Sequence, residues 1–215
     1  MTRWLVALLV LGVAAVACAD DPPEQVKMKF LERGDALTVT VKLNKLFDSA
    51  AYEALDSGFL STVVIRLFVY PQGSTSPVAY TELARSCVYD LWDEEYTIQL
   101  AENTFDGKTN KNKVKVKKHA EALQVLTDIE GMPIAALSDL PQGQVYLLNI
   151  EAVLNPVSKD TQAAVRRWLS QGTGGGLDRG GTFFGSFVSV FVNSKIPEAD
   201  RVLRLRSQPF YRPKS

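Results

Sequence analysis

Leu60-Ser61-Thr62-Val63-Val64-Ile65-Arg66-Leu67-Phe68-Val69-Tyr70 is the stretch on which the fold turns, and it closes at Pro71-Gln72-Gly73. Its β-branched side chains are stiff at χ1 and pack well on a pleated surface, so the run reads as a long strand. Downstream, Val78 to Tyr89, Tyr96 to Leu100 and Lys113 to Lys117 read as further strands. Tyr146, Leu148, Ile150, Ala152 and Leu154 then alternate as the inward face of another, and Val202 to Arg206 closes the chain as a strand with arginines on one face. Upstream, Val26 to Phe30 and Leu37 to Leu43 alternate on either side of the turn signal Arg33-Gly34-Asp35, which predicts a first hairpin. Asp48 caps a short helix over Ser49 to Ser57 that Gly58 ends, with Phe47 and Tyr52 at staple spacing. Ala122, Leu123, Leu126 and Ile129 predict a helix over Lys118 to Ile129, and Asp160 leads a helix whose Ala164, Val165, Trp168 and Leu169 share a face. The stretch 171–181 carries six glycines and reads as a flexible loop. Phe183 to Val192 fits a helix or a strand equally. The expected fold class is α+β, mainly antiparallel β: a β-sandwich-like single domain over 20–215 with three or four short helices.

The first nineteen residues read differently. Arg3 precedes the uninterrupted apolar run Trp4 to Val16, and small residues follow up to Asp20-Asp21-Pro22-Pro23. That run is too short to span ~30 Å of hydrocarbon but suits a signal peptide over 1–19. Cleavage after Ala17 would start the mature chain at Cys18, and cleavage after Ala19 would start it at Asp20. Ala15-Val16-Ala17-Cys18 also resembles a bacterial lipobox, with Ala15 where Leu is usual, which makes Cys18 a lipidation candidate. Cys87 reads as a lone buried thiol, with pairing to Cys18 as the alternative. The expected location is extracytoplasmic, in a bacterial periplasm, either soluble or lipid-anchored at Cys18. The membrane would be met only through that lipid or an uncleaved signal segment.

Composition excludes several classes. The chain has 24 Lys+Arg, 24 Asp+Glu, one His and two Cys. Removing residues 1–19, which hold one basic residue, leaves a net charge of −1. Such a chain lacks the cationic surplus of a nucleic-acid binder, and so few soft ligands cannot build a four-ligand zinc site. Lys108, Lys111, Lys113, Lys115, Lys117 and Lys118 crowd one stretch. They read as an edge strand protected by charge, with Val114 and Val116 facing in, or as a patch for an acidic partner or anionic headgroups. Tyr89-Asp90-Leu91-Trp92-Asp93-Glu94-Glu95-Tyr96 mixes four carboxylates with three aromatics. It lacks Ca²⁺-loop spacing and reads as a solvated bend between two strands. His119, the only histidine, would have to serve any His-dependent hydrolysis, yet no nucleophile elbow accompanies it. The glycine stretch lacks the phosphate-loop pattern and follows a helix. No catalytic, cofactor or metal constellation is read.

The order of these features resembles a known family. Ala54 to Phe59 precedes the strand Val63 to Tyr70; then come Tyr89 to Tyr96, the Glu121-Ala122-Leu123 helix and Asp139-Leu140-Pro141. Tyr146 to Ile150, Trp168-Leu169 and the tail Ser207-Gln208-Pro209-Phe210-Tyr211 complete it. Together they resemble an exported bacterial family catalogued as a domain of unknown function, DUF4390, over about residues 25–211. The resemblance implies no activity, cofactor or site residue. It implies an envelope protein, tethered or secreted, whose genes often neighbour membrane sensor kinases of the nitrogen-regulation type. The expected function is therefore a non-enzymatic envelope module that binds a protein partner, with such a kinase as the partner the resemblance suggests, or alternatively a small-ligand or lipid carrier.

Overall fold

The computed structural model describes residues 22–155 and 201–212. The expectations for Cys18, the helix behind Asp160, the glycine stretch 171–181 and Phe183 to Val192 fall outside those residues.

The Leu60–Tyr70 run forms β4 (Ser61–Pro71), with strands on both sides of it. Val63, Ile65, Leu67 and Val69 point to one face, where none is more than 1 % exposed. Pro71 stands at the strand's end, where a missing N–H costs no ladder bond. To one side lie β5 (Ala79–Asp90), β6 (Glu95–Asn103) and β7 (Thr109–Val116) in an antiparallel meander. To the other lie β9 (Val145–Leu154) and β10 (Arg201–Ser207), also antiparallel. β1 (Glu24–Val26) runs parallel to β10 at the outer edge, and β11 (Phe210–Tyr211) pairs with the start of β9. The spatial order is β1-β10-β9-β4-β5-β6-β7. A smaller antiparallel sheet has the order β2-β3-β8, from β2 (Lys29–Arg33), β3 (Ala36–Lys42) and β8 (Asp128–Ala136). Its Leu37, Val39, Ile129 and Ile134 join Val63, Leu83, Ile98 and Ile150 of the larger sheet in one apolar core. On the larger sheet's other face, Glu82, Arg66, Glu151 and Arg204 form a chain of ion pairs across four strands, at 3.1, 3.5 and 3.3 Å.

Mainly antiparallel β with some helix is what the structure shows. The described residues hold two α-helices, α1 (Ser49–Ala54) and α2 (His119–Thr127), and the further helices expected from the sequence lie outside them. Asp48 caps α1, its Oδ1 accepting the Ala51 N–H at 2.9 Å, and a 3-10 turn carries the chain to Gly58 at φ 74°. Two readings change. Val26 to Phe30 is not one strand: Met28 is buried at a break between β1 and β2, where Gln208 donates to its carbonyl and accepts from its N–H. Nor does the second helix reach Ile129. The chain passes from α2 directly into β8, where Ile129 pairs with Val41. Thr127 Oγ1 bonds back to the Leu123 carbonyl, and Gly131 and Pro133 follow, which no helix interior would accommodate cheaply. Gly131 sits at φ 58°, a left-handed position that glycine takes at least cost, with the Arg33 guanidinium 2.9 Å from where a Cβ would stand.

Candidate functional site

The β5–β6 hairpin carries the carboxylate and aromatic stretch, and it is the bend that its pattern predicts. Tyr89 and Tyr96 face each other across the ladder with ring centroids 4.6 Å apart. At the tip, Asp90 Oδ1 accepts the backbone N–H groups of Trp92 at 2.9 Å and Asp93 at 3.2 Å. Those two donors hold the Asp90 carboxyl below the usual range. Glu94 takes the left-handed region at φ 49°, which brings the chain round into β6. The tip is thereby fixed while its large side chains stay outside: Trp92 is 95 % exposed and Leu91 64 %. Leu91 lies over Gly58, whose absent Cβ would come within 3.6 Å of its Cδ1, and Phe59 beside it is 48 % exposed.

Beneath the tip is a polar knot absent from the sequence reading. The Tyr96 hydroxyl and the His119 Nδ1 both approach Asp56 Oδ1, the latter at 2.8 Å. Tyr52 stacks on the His119 ring at 3.9 Å. Four chain regions meet there: α1, the 3-10 turn after it, β6 and the start of α2. Burial, and then the hydrogen bond to Asp56, push the Tyr96 phenol up from its ordinary range. His119 Nε2 is buried without a hydrogen-bond partner. With Nδ1 on Asp56 and the ring against Tyr52 and Tyr96, the imidazole ties the start of α2 to the turn after α1 and to β6. Cys87, on β5, is a buried thiol pushed up to about 12 by burial and the nearby Asp56 charge, and it packs in the common apolar core. Only the aromatic pair flanking the carboxylates hinted at this knot; Asp56 and Tyr52 sit in a helix segment whose pattern carries no sign of it.

The lysine stretch is an edge strand. Among the described residues β7 pairs with β6 alone, and Val114 and Val116 turn inward while the lysines are exposed. Lys115 reaches Glu95 at 2.5 Å, Lys108 reaches Asp106 at 2.7 Å, and Lys118 reaches Glu121 at 3.2 Å. Among the described residues Lys111, Lys113 and Lys117 have no carboxylate within ion-pair distance. A cleft of about 290 Å³ opens elsewhere, between α1 and the ends of β4, β9 and β10, lined by Phe47, Ala51, Ala54 and Leu154. Its charges face each other: Arg201 donates to Asp48 at 2.8 Å. Among the described residues no three His, Cys, Asp or Glu side chains gather as a metal site.

Neither the curated proteins nor the solved structures contain a match to this chain. A family model does match, over residues 24–158, which takes in β1 to β9, the hairpin tip, the polar knot and the lysine edge but stops short of β10 and of the tail expected to belong with them. The chain is therefore a member of DUF4390, described as a domain of unknown function.

Proposed function

We propose that the protein is a non-enzymatic, extracytoplasmic cell-envelope module that binds another protein through the tip of the β5–β6 hairpin. The observation that carries this reading is Trp92, standing almost fully in water on a turn locked by Asp90, with the exposed Leu91 before it in the chain. A protein gains nothing in stability by holding a tryptophan in water on a rigid hairpin, whereas Trp is the residue most enriched where binding energy concentrates. Because the turn is already ordered, docking costs little conformational entropy. Three carboxylates at the tip (Asp90, Asp93 and Glu94) favour a basic partner surface and speed the encounter. The resemblance suggests a membrane sensor kinase as the partner class. In crosslinking from envelope extract, the wild type should recover one specific membrane protein that Trp92→Ser loses. Recovery that ignores Trp92→Ser, or a protein that stays monomeric and uncrosslinked, would refute the reading.

Export and tethering belong to the same proposal. The intact mass of the protein isolated from its host should begin at Asp20, at Cys18 or at an acylated Cys18; a chain bearing Met1 and recovered from the cytoplasm would overturn export, and one bearing Met1 in the membrane would identify an uncleaved signal segment. The two sheets sharing one core support a sandwich-like architecture. The further helices read after Asp160 would appear as extra helicity beyond α1 and α2 by circular dichroism. A small-ligand or lipid carrier is the second reading, favoured by the cleft beside α1. At about 290 Å³ it lies near the lower end of the range of ligand sites. Solvent extraction and mass spectrometry of the purified protein decide it by the presence or absence of a bound lipid.

A further inference from the structure

We propose that the open edge of β7 accepts an extended acidic segment of a partner protein as an added strand, with alternate carboxylates meeting Lys111 and Lys113. The edge is a different surface from the Trp92 tip, and the inference stands or falls without it.

β7 has β6 on one side and no strand on the other among the described residues, and every residue from Thr109 to Lys113 is exposed. An edge strand turns alternate N–H and C=O groups outward, which is a ready template for a further strand. Lys111 and Lys113 lie two apart and so share a face. Their cross-strand neighbours on β6 are Ala101 and Gln99, which offer no charge, whereas Lys115 one step along is neutralised by Glu95. Among the described residues two ammonium groups are thus left uncompensated at a spacing of about 6.8 Å, the distance between alternate side chains of an opposing strand.

The same lysines decide what cannot dock. A second copy pairing β7 to β7 would set lysines against lysines, and like charges directly opposite are destabilising. Apolar and basic strands are rejected likewise, so edge protection and selectivity for acidic sequence are one device. An anionic bilayer would satisfy the charge but not the outward backbone groups. β1, the first strand after the N-terminal segment, also lies at the opposite edge of the sheet, six strand intervals or roughly 30 Å away.

The test uses the purified protein and a fluorescein-labelled Thr-Val-Glu-Val-Glu-Val-Thr peptide, followed by anisotropy at low and physiological salt. Binding is expected, with β7 amides gaining hydrogen-exchange protection. Lys111→Glu with Lys113→Glu should weaken it on the order of tenfold, since two ion pairs become repulsions. Peptide N-methylated at alternate residues should bind at least tenfold more weakly, because its charge is intact but its backbone donors are gone. Trp92→Ser should leave the affinity unchanged. The proposal is overturned by absence of binding, by equal binding of the N-methylated peptide, or by indifference to the charge reversal. Binding of phosphatidylglycerol vesicles in place of the peptide would overturn it too. Both lysines are exposed on the edge strand, so the charge reversal leaves the core untouched.

Discussion

Arg85 is the residue whose removal should cost most for its place in the chain. It stands on the inner face of β5, buried, and donates from Nη1 to the carbonyls of Val125 and Asp128 at 2.9 Å each. Those carbonyls lie where α2 ends, so the guanidinium closes the helix terminus that continues straight into β8. Burial lowers its pKa, and Glu102 and Asp128 only partly offset the desolvation. Arg85→Met keeps the aliphatic stem but strands two buried carbonyls, and should cost about 2–4 kcal/mol in urea unfolding. A loss below half a kilocalorie would mean that water serves those carbonyls. The phenols give a pH signature. Tyr96 and Tyr146 are both raised chiefly by burial. A folded pKa above the unfolded value of about 10 means that the associated stability is complete below that pH and is lost as pH rises past it. Alkaline titration at the tyrosinate absorbance band should show these two ionising late and together with loss of near-UV circular dichroism. Early, independent ionisation would contradict the burial. Nothing in the local pattern distinguished Arg85 from Arg66, because alternation assigns a face but not what lies opposite it.

At the scale of elements, the β5–β6 turn joins stability to the proposed contact. Glu94 is held at φ 49°, a region that costs a side chain with a Cβ more than it costs glycine. Glu94→Gly should therefore leave the fold unharmed or stabilise it by about 0.5–1 kcal/mol, a balance between relieved strain and added unfolded-state entropy. Asp90→Ala acts oppositely: without the Oδ1 acceptor the amides of Trp92 and Asp93 lose their bonds. Faster exchange of those two amides and faster Trp92 depolarisation should follow, with weaker partner capture. An unchanged Trp92 environment would show that the turn is held by the ladder alone. Strands with clean alternation, such as Tyr146 to Leu154, were legible from sequence within a residue of their ends. β8 was not, because Leu126 and Ile129 keep helical spacing across a boundary that Asp128, Gly131 and Pro133 impose. The knot of Asp56, Tyr96 and His119 was illegible for a related reason. Its members lie up to 63 residues apart, and only the folded chain gathers them.

At the scale of the whole molecule, the two ends of the described chain complete the larger sheet. β10 lies outside the span 24–158 that defines the family, yet it pairs with β9 over six residues, and among the described residues β1 pairs only with β10. Leu205 is buried in the common core, and Ser207 Oγ accepts the Leu148 N–H at 2.9 Å. The family span alone therefore leaves the β9 edge bare, with the apolar row Leu148, Ile150, Ala152 and Leu154 behind it. Such an edge is a template for aggregation. A chain ending at residue 200 should lose β1 and β10 together and aggregate on concentration. Its β9 amides facing the missing strand should exchange quickly, while those between β5 and β6 keep their protection, because local opening follows contiguous cooperative units. Leu205→Ala in the full chain should reproduce part of this at a cost of about 2–4 kcal/mol without aggregation. If the truncated chain stays soluble with β9 protected, then β10 is an accessory to the family domain. If β9 opens as expected, the functional unit of this protein is larger than the span by which its family is recognised.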